Sequence, residues 1–169
     1  YLNKNHDYRT DKIKFQQKMF YFGSVFINDN PFDYTPSEKI NKYKEVANKM
    51  GTEATKDPVL PFYTPNQIDY VYNENVDEQK NQLIARLKQS YEFAYINIHG
   101  WEDNIWLGGN TSVDIKEIQT IQPQTLFINL ASCKTGDFRN KNSFANELIF
   151  SGNTLAVGAY TQIMITSDN

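Results

Sequence analysis

The sequence predicts an α/β fold, in which a mostly parallel sheet lies between layers of helices as a three-layer α/β/α sandwich. Short apolar runs at 93–100 and 125–133 are typical of strands buried on both faces of a parallel sheet. Segments with helical spacing of apolar residues separate the strand-like runs. The resulting order, β-α-β-α-β-(α)-β-α-β, leaves connections long enough for parallel crossovers. The length of 169 residues suits one domain with a sizeable core.

The first half of the chain opens with a polar stretch. Residues 1–17 are mixed in charge and predict an N-terminal tail or an edge strand, and the α/β domain itself is expected over 18–169. An apolar run at 19–27 predicts the first strand. A Thr-Pro-Ser-Glu capping box then opens a helix over 36–50, because proline suits the first helical position. The stretch 52–67 contains three prolines and predicts a surface loop.

The second half alternates strands and helices more regularly. A short strand is predicted at 69–72. Asn75 and Glu78 form another capping-box pattern, and the helix that they open carries an apolar stripe on one face. After the strand at 93–100, residues 101–112 predict a loop that turns at a Gly-Gly-Asn sequence.

Four further elements complete the predicted sheet and its helices. A short helix is predicted over 113–121, and it is followed by the cysteine-bearing strand over 125–133. A helix over 142–150 ends before a glycine, and the last clear strand is predicted at 154–159.

The composition argues against several classes of function. The net charge is −3, from 17 basic and 20 acidic residues, so no basic field favours binding to nucleic acid or to an anionic membrane. No apolar run approaches the ~20 residues of a transmembrane helix. The single cysteine allows no internal disulfide, and it leaves the cellular compartment undetermined.

A histidine and the only cysteine stand at the ends of two predicted strands. Because ligands bind beyond the carboxyl ends of the strands in an open α/β sheet, we expect His99 and Cys133 on adjacent parallel strands at one sheet edge. A free thiol with a pKa of about 8.5 is mostly protonated at neutral pH, and a neighbouring imidazole can take its proton. The N–H groups of Gly100 and Cys133 could then stabilise the oxyanion of a tetrahedral intermediate.

Each of these two side chains, taken alone, also has a purely structural explanation. A lone cysteine at a strand end is most often a small buried apolar residue, and a lone histidine is most often a hydrogen-bonding group. The matched positions of His99 and Cys133, beside the small residues Gly100, Ala131 and Ser132, favour catalysis over that explanation.

The pattern around the two residues resembles a known clan. An apolar strand followed by His-Gly, and then a second apolar strand followed by Cys, is similar to the signature of the caspase–legumain–clostripain–gingipain cysteine peptidases. The sequence A-S-C-K-T-G-D-F at 131–138 most resembles the gingipains, in which Gly-Asp-Phe closely follows the nucleophile. The similarity continues through 143–148 and 152–158, and with the His-Gly strand it covers about residues 69–165.

The resemblance implies a cysteine endopeptidase that hydrolyses peptide bonds through an acyl-enzyme intermediate. Carried over residue by residue, His99 is the catalytic histidine and Cys133 is the nucleophile. A peptide or protein substrate is implied, and no cofactor is required. Some members of the clan hold Ca²⁺, but the sequence shows no EF-hand spacing and no close set of ligands for another metal. The resemblance favours an extracellular location, and a cytoplasmic one stays open.

Two short segments are candidates for a substrate pocket, one after the His-Gly turn and one after the last strand. Their residues are Trp101, Glu102, Asp103, Tyr160, Thr161 and Gln162. Aromatic and acidic side chains in the first segment suit a basic substrate residue, which gingipains and clostripain prefer. A solvated acidic loop with one packed tryptophan explains that segment equally well. The resemblance puts a pocket wall at the second segment.

The sequence departs from the clan in two respects. No third, histidine-orienting carboxylate stands on a matching motif, and residues 1–65 resemble the clan only loosely. The sequence also begins at Tyr1 without Met and stops at Asn169, soon after the last predicted strand, whereas clan domains usually continue with further strands. A fragment, a processed piece and a minimal member of the clan are the three interpretations that stay open. If the chain is a truncation, a further C-terminal segment or a second chain completes the domain, and the last strand is expected at or near an exposed sheet edge.

Two other classes of function stay open at this point. An inactive or regulated relative of the clan would use the same fold as an interaction module. A doubly wound domain that binds a nucleotide or a flavin would carry the cysteine and the histidine incidentally, although no Gly-x-Gly-x-x-Gly follows the first predicted strand. Similar sheets host unrelated functions, so the fold alone does not decide between these classes.

Overall fold

The computed structural model describes residues 2–23, Asn41, 63–71 and 75–162. The strands of this part of the chain are Gln16–Gly23 (β1), Ile68–Val71 (β2), Tyr91–Asn97 (β3), His99–Gly100 (β4), Asn104–Gly108 (β5), Thr111–Asp114 (β6), Phe127–Ala131 (β7) and Ala156–Ala159 (β8). The α-helices are Leu2–Arg9 (α1), Val76–Leu87 (α2), Ile115–Ile121 (α3) and Phe144–Ser151 (α4), and a 3₁₀ turn spans Pro65–Gln67. None of these helices is long and apolar enough to span a bilayer.

A parallel sheet flanked by helices forms the body of the described residues. Five strands pair in the order β2-β1-β3-β7-β8, and every pair of neighbours runs parallel. The α/β class predicted from the sequence is thereby confirmed, and the arrangement is consistent with three layers. A smaller antiparallel sheet, β4-β5-β6, follows β3 and leads into α3.

Side-chain alternation along the strands divides the core between the two faces of the parallel sheet. Phe20 and Phe22 of β1 are fully buried in a cluster to which α2, α3 and α4 contribute residues such as Leu83 and Leu148. Met19 and Tyr21 belong to a second cluster. This separation follows from the period of two in a strand, because successive side chains point to opposite faces.

The second cluster is aromatic. The rings of Tyr21 and Tyr95 stack with their centroids 5.4 Å apart. Burial raises the pKa of Tyr21 to about 12, although a hydrogen bond with the Asn97 side chain acts in the opposite direction. Asn97 is the last residue of β3, so this cluster supports the end of the strand from which His99 follows.

The helix α1 differs from the sequence-based expectation of a tail or an edge strand over residues 1–17. None of its eight residues is buried, so the sequence has no amphipathic pattern that would predict this helix. It is held by tertiary contacts, since Lys4 Nζ donates a hydrogen bond to the carbonyl of Ile149 in α4 and the ring of Tyr8 packs edge-on against Phe15. Contacts of this kind supply most of the stability of short helices in proteins.

The prediction of a loop over 101–112 is wrong, because most of this segment forms the antiparallel strands β5 and β6. Ile105 and Val113 face each other in the register and are almost completely buried. The expected Gly-Gly-Asn turn is present, and Gly108 and Gly109 both adopt positive φ angles there. A glycine accepts this conformation without steric cost, which explains the tight reversal.

The remaining predicted elements agree with the structure where it describes them, except in two places. The strand predicted over 93–100 ends at Asn97, and His99–Gly100 belongs to the antiparallel sheet. The helix predicted over 113–121 begins at Ile115, because Val113 and Asp114 complete β6. The strands predicted at 69–72 and 154–159 correspond to β2 and β8, with ends shifted by one or two residues. The strand β8 is an outer strand of the described sheet, as expected. The helix predicted over 36–50, apart from the helical Asn41, and residues 24–27 lie outside the described residues.

The N-cap of α2 is the clearest local determinant of structure. The Asn75 side-chain oxygen accepts hydrogen bonds from the N–H groups of Asp77 and Glu78, at 3.0 and 3.1 Å. These two donors would otherwise lack an intrahelical partner. The apolar face of α2 then buries Leu83 and Leu87 against the sheet.

Replacing this cap should destabilise the protein by a measurable and specific amount. We expect Asn75→Ala to lower the free energy of unfolding by about 1 kcal/mol, because the two N–H groups lose their acceptor. Asn75→Asp keeps an acceptor and is the matched control. Urea denaturation measures both, and an Asn75→Ala protein as stable as the Asn75→Asp protein would contradict the role assigned to the cap.

Candidate active site

The parallel pairing of β3 with β7 positions the histidine and the cysteine. Asn97 and Ala131 are register partners at the carboxyl ends of these strands. His99 and Cys133 each lie two residues beyond these partners, and both side chains line one cavity of about 360 Å³. The expectation that the two residues share one sheet edge is confirmed, but they lie beyond the parallel strands and not on them, since His99 belongs to the antiparallel strand β4 and Cys133 lies in the turn after β7.

The imidazole of His99 lies against an indole. His99 and Trp106 are cross-strand partners in β4 and β5, so their side chains share a face, and their ring centroids are 5.9 Å apart. Trp106 is itself fixed, because its Nε1–H donates a hydrogen bond to the carbonyl of Gly109 at 3.0 Å. Within the described residues, the His99 ring has Trp106 as its aromatic contact and forms no hydrogen bond.

Gly100 allows β4 to approach the cysteine segment closely. A Cβ atom at this position would overlap Ser132 Oγ and would stand 2.8 Å from Thr135 Cγ2. Ser132 is completely buried, and in the described part of the chain its hydroxyl has no hydrogen-bond partner. The absence of a side chain at Gly100 therefore sets the separation between the histidine and cysteine segments.

The turn that carries Cys133 is anchored to the segment after β8. The N–H of Lys134 donates to the carbonyl of Gln162 at 3.2 Å, and the N–H of Gly136 donates to the carbonyl of Tyr160 at 2.9 Å. Lys134 has a φ of 55°, in the left-handed region that is uncommon for residues other than glycine. Such conformations persist where surrounding contacts enforce them, and they concentrate at functional sites.

A cation–aromatic–carboxylate cluster stands beside the cavity. Lys134 Nζ lies 4.0 Å from the centroid of the Trp101 ring and 3.4 Å from Glu102 Oε1. The side chains of Lys134 and Glu102 are only 28% and 23% exposed, so solvent screens this pair less than a pair on the open surface. The cluster joins the tip of the β4–β5 hairpin to the residue that follows Cys133.

The structure brings together only some of the candidate pocket residues. Of the six candidates, Trp101 lines the cavity together with His99, Gly100 and Cys133. The other five are not among the described lining residues. Of these five, Glu102 pairs with Lys134, and Asp103 accepts a hydrogen bond from the Asn104 side chain at 2.8 Å.

The segment after β8 contributes backbone support in place of the expected pocket wall. Tyr160 and Gln162 offer their carbonyl groups to the cysteine turn, while their side chains and that of Thr161 are exposed and are not among the described lining residues. The reason is geometric, because β8 pairs in register with β7, so the main chain that follows β8 runs beside the turn that follows β7.

Two lining residues, Asn104 and Trp106, were not foreseen. They lie on the face of β5 opposite Ile105, which is buried in the core. The alternation of polar or aromatic residues with Ile105 and Leu107 was the signal in the sequence, since strict alternation indicates a half-buried strand. The prediction of a loop over 101–112 did not take this alternation into account.

The carboxylate nearest in sequence to the nucleophile on its C-terminal side is already occupied. Arg139 donates hydrogen bonds to both oxygens of Asp137, at 2.8 and 2.7 Å. These bonds hold the pKa of Asp137 below its usual range. A lowered pKa keeps the carboxylate ionised and paired as the pH falls into the range where an ordinary aspartate titrates, so Asp137 is committed to its own turn.

The part of the chain that the structure describes holds no group of three or more His, Cys, Asp and Glu side chains arranged to bind a metal ion. The described residues that line the cavity provide one thiol, one imidazole, two indoles and one carboxamide.

No protein-family model matches the chain, and no curated protein matches it.

The close approach at Gly100 generates a prediction about stability. Gly100→Ala should lower the free energy of unfolding by about 1–3 kcal/mol, because the added methyl group overfills a closely packed contact. Gly158→Ala is the matched control, since the nearest atom to its new Cβ would be 3.7 Å away, an ordinary contact distance. Urea denaturation compares the two variants.

A second substitution tests the identity of the obstructing atom. Ser132→Ala removes the hydroxyl that the new methyl group would meet, so Gly100→Ala should be less destabilising in the Ser132→Ala background than in the wild type. Equal effects of Gly100→Ala in both backgrounds would show that Ser132 does not set this separation.

Proposed function

We propose that the chain is a cysteine endopeptidase domain of the caspase and gingipain type, with a three-layer α/β/α sandwich fold. Cys133 is the nucleophile, and His99 transfers the protons. The observation that carries this proposal is the shared cavity, in which one imidazole and the only thiol of the chain follow register-paired ends of adjacent parallel strands.

In the first step, Cys133 Sγ forms a bond with the carbonyl carbon of the scissile peptide. The thiol proton passes to the imidazole of His99, and the carbonyl oxygen takes the negative charge of the tetrahedral intermediate. The imidazolium then donates that proton to the nitrogen of the leaving amine as the C–N bond breaks. A thioester between Cys133 and the acyl part of the substrate remains.

The main chain at Gly100 suits the role of an oxyanion donor. The N–H of Trp101 donates to the carbonyl of Asn104 at 2.8 Å, so these two residues form a hydrogen-bonded pair at the tip of the hairpin. In an antiparallel ladder the next pair, Gly100 and Ile105, is then not hydrogen-bonded, and the N–H of Gly100 points away from β5. We assign the oxyanion to the N–H groups of Gly100 and Cys133.

Hydrolysis of the thioester completes the reaction. A water molecule gives a proton to His99 and attacks the acyl carbon, and the thiolate of Cys133 leaves and recovers a proton from the imidazolium. This sequence of steps uses two side chains and needs no cofactor. In the described residues the packing of Trp106 takes the place of a carboxylate in orienting the His99 ring.

The cavity is open enough for a peptide. Trp101 and Trp106 remain 49% and 45% exposed, so an extended segment of a peptide or protein substrate can cover both indoles. Tryptophan surfaces of this kind commonly provide much of the binding energy at recognition sites.

The doubly wound alternative has one observation in its favour. The main sheet has the order 2-1-3-4-5 when only its own strands are counted, which is the order of flavodoxin-like proteins. Those proteins bind flavin at the switch point between the first and third strands. The cavity with His99 and Cys133 instead follows the ends of β3 and β7, which favours the peptidase. A rise in melting temperature on addition of FMN or a nucleotide would favour the alternative.

Replacing the nucleophile should separate catalysis from folding. We expect Cys133→Ala to abolish peptide hydrolysis while the free energy of unfolding changes by about 1 kcal/mol or less, because a half-buried residue at a strand end loses one sulfur atom. Hydrolysis of a casein substrate and urea denaturation are the two measurements. A Cys133→Ala protein that fails to fold would identify Cys133 as a core residue.

Replacing the histidine should slow turnover without removing the thiol. His99→Ala should lower the rate of hydrolysis roughly 10²–10⁴-fold, the range usual for loss of a general acid–base group. His6→Ala is the matched control, since His6 is the only other histidine, is exposed on α1 and contacts Asp7. Equal activity of the two variants would exclude His99 from the mechanism, and a folded wild type that cleaves no peptide would favour the interaction module.

A further inference from the structure

The cavity beside Cys133 has a lining that carries no carboxylate among the described residues. Its polar side chains are those of His99, Asn104 and Cys133, most of its surface is apolar, and the indoles of Trp101 and Trp106 are its large apolar side chains. We propose that this cavity selects substrates in which the side chain next to the scissile carbonyl is uncharged and apolar or aromatic. This inference rests on the proposed peptidase function and names its substrate class.

The acidic residue best placed to attract a basic side chain is already satisfied. Glu102 Oε1 lies 3.4 Å from Lys134 Nζ, and both side chains are about three-quarters covered. The main chain of Glu102 is also fixed, because its carbonyl accepts a hydrogen bond from the N–H of Phe144 at 2.7 Å. A basic substrate side chain would have to displace Lys134 before it could pair with Glu102.

The face of the Trp101 ring, which could otherwise bind a basic side chain of the substrate, is occupied as well. Lys134 Nζ lies 4.0 Å above the Trp101 ring, where the quadrupole of the indole attracts positive charge. A lysine or arginine of the substrate in contact with Trp101 would meet this ammonium at short range. Like charges in a partly desolvated site repel strongly, so the arrangement discriminates against a basic substrate residue.

An acidic substrate side chain gains little from the same cluster. The charge of Lys134 is balanced by Glu102, and the second candidate carboxylate, Asp103, is exposed and bonded to Asn104. An uncharged side chain, in contrast, removes apolar surface of Trp101 and Trp106 from water and needs no compensating charge. The cluster therefore acts as a filter that admits uncharged side chains.

The resemblance described above implied a basic residue at this position, and the ion pair gives the physical reason for a different specificity. Lys134 directly follows the nucleophile, its φ of 55° lies in the left-handed region, and its N–H donates a hydrogen bond to the carbonyl of Gln162. The ammonium group of Lys134 thus occupies the place between the Trp101 indole and the Glu102 carboxylate that a basic side chain of a substrate would otherwise take. Lys134 is the residue that determines specificity.

Activity-based labelling tests the proposal directly on the full chain. Peptidyl acyloxymethyl ketones that differ only in the first residue, as Phe, Leu, Lys or Asp, would be incubated with the protein, and the rate of adduct formation measured by intact mass. The Phe and Leu probes should react about tenfold faster or more than the Lys and Asp probes. Cys133→Ala is the control for labelling at the nucleophile, because it removes the only thiol.

Two charge variants then assign the preference to the cluster. Lys134→Met keeps the aliphatic stem and frees Glu102, so the Lys probe should gain about tenfold relative to the Phe probe. Glu102→Gln leaves Lys134 unbalanced, so the Asp probe should gain instead. Lys141→Met is the matched control, since Lys141 is exposed and should leave all ratios unchanged.

Intrinsic fluorescence gives a readout that does not depend on catalysis. The chain contains only two tryptophans, and both line the cavity. Titration of the Cys133→Ala protein with N-acetylphenylalaninamide should change the emission at lower concentration than titration with N-acetyllysinamide. In Cys133→Ala/Lys134→Met this order of affinity should weaken or reverse.

The two readouts separate this inference from the function on which it rests. If no probe labels Cys133 but fluorescence shows the stated preference, the peptidase proposal fails and the specificity of the cavity stands. If the Lys probe labels Cys133 fastest, or if Lys134→Met leaves the ratio of Lys to Phe labelling unchanged, the peptidase proposal stands and the inference is overturned. Equal fluorescence responses to both amides would also overturn it.

Discussion

The in-register pairing of β3 with β7 is the constraint on which the site depends. Ile96 and Leu130 are register partners, and both are almost completely buried beneath the helices. A slip of one residue would turn buried side chains of one strand to the opposite face, so the core fixes the register. Because parallel strands end at the same edge of the sheet, fixing the register also fixes the positions from which His99 and Cys133 extend.

The β4–β5 hairpin adds a second constraint, which acts across the cavity. Its inner face is held in the core by Ile105, while its outer face presents Trp106 to His99. The approach at Gly100 leaves the Ser132 hydroxyl buried without a partner among the described residues, a feature that ordinarily costs stability. Departures from local rules of this kind are expected near functional sites, where other contacts compensate for them.

The Lys134–Glu102–Trp101 cluster combines structural and chemical roles. It ties the hairpin tip to the cysteine turn, and it sets the charge of the surroundings in which a substrate side chain is received. The same turn is bonded to α4, because the carbonyl of Thr135 accepts a hydrogen bond from the N–H of Ala145 at 3.0 Å. Position and charge at the cavity therefore depend on a small number of shared contacts.

The sequence by itself determined the features that arise from local pattern. Apolar runs identified the parallel strands, Asn75 identified the start of α2, and the two strand ends placed His99 and Cys133 together, since parallel strands share an edge. Only the tertiary structure decided that Trp106 packs against His99 and that Lys134 forms an ion pair with Glu102. Such contacts join residues whose separation in sequence carries no periodic signal, so they become visible only when the strands and turns have been assembled in space.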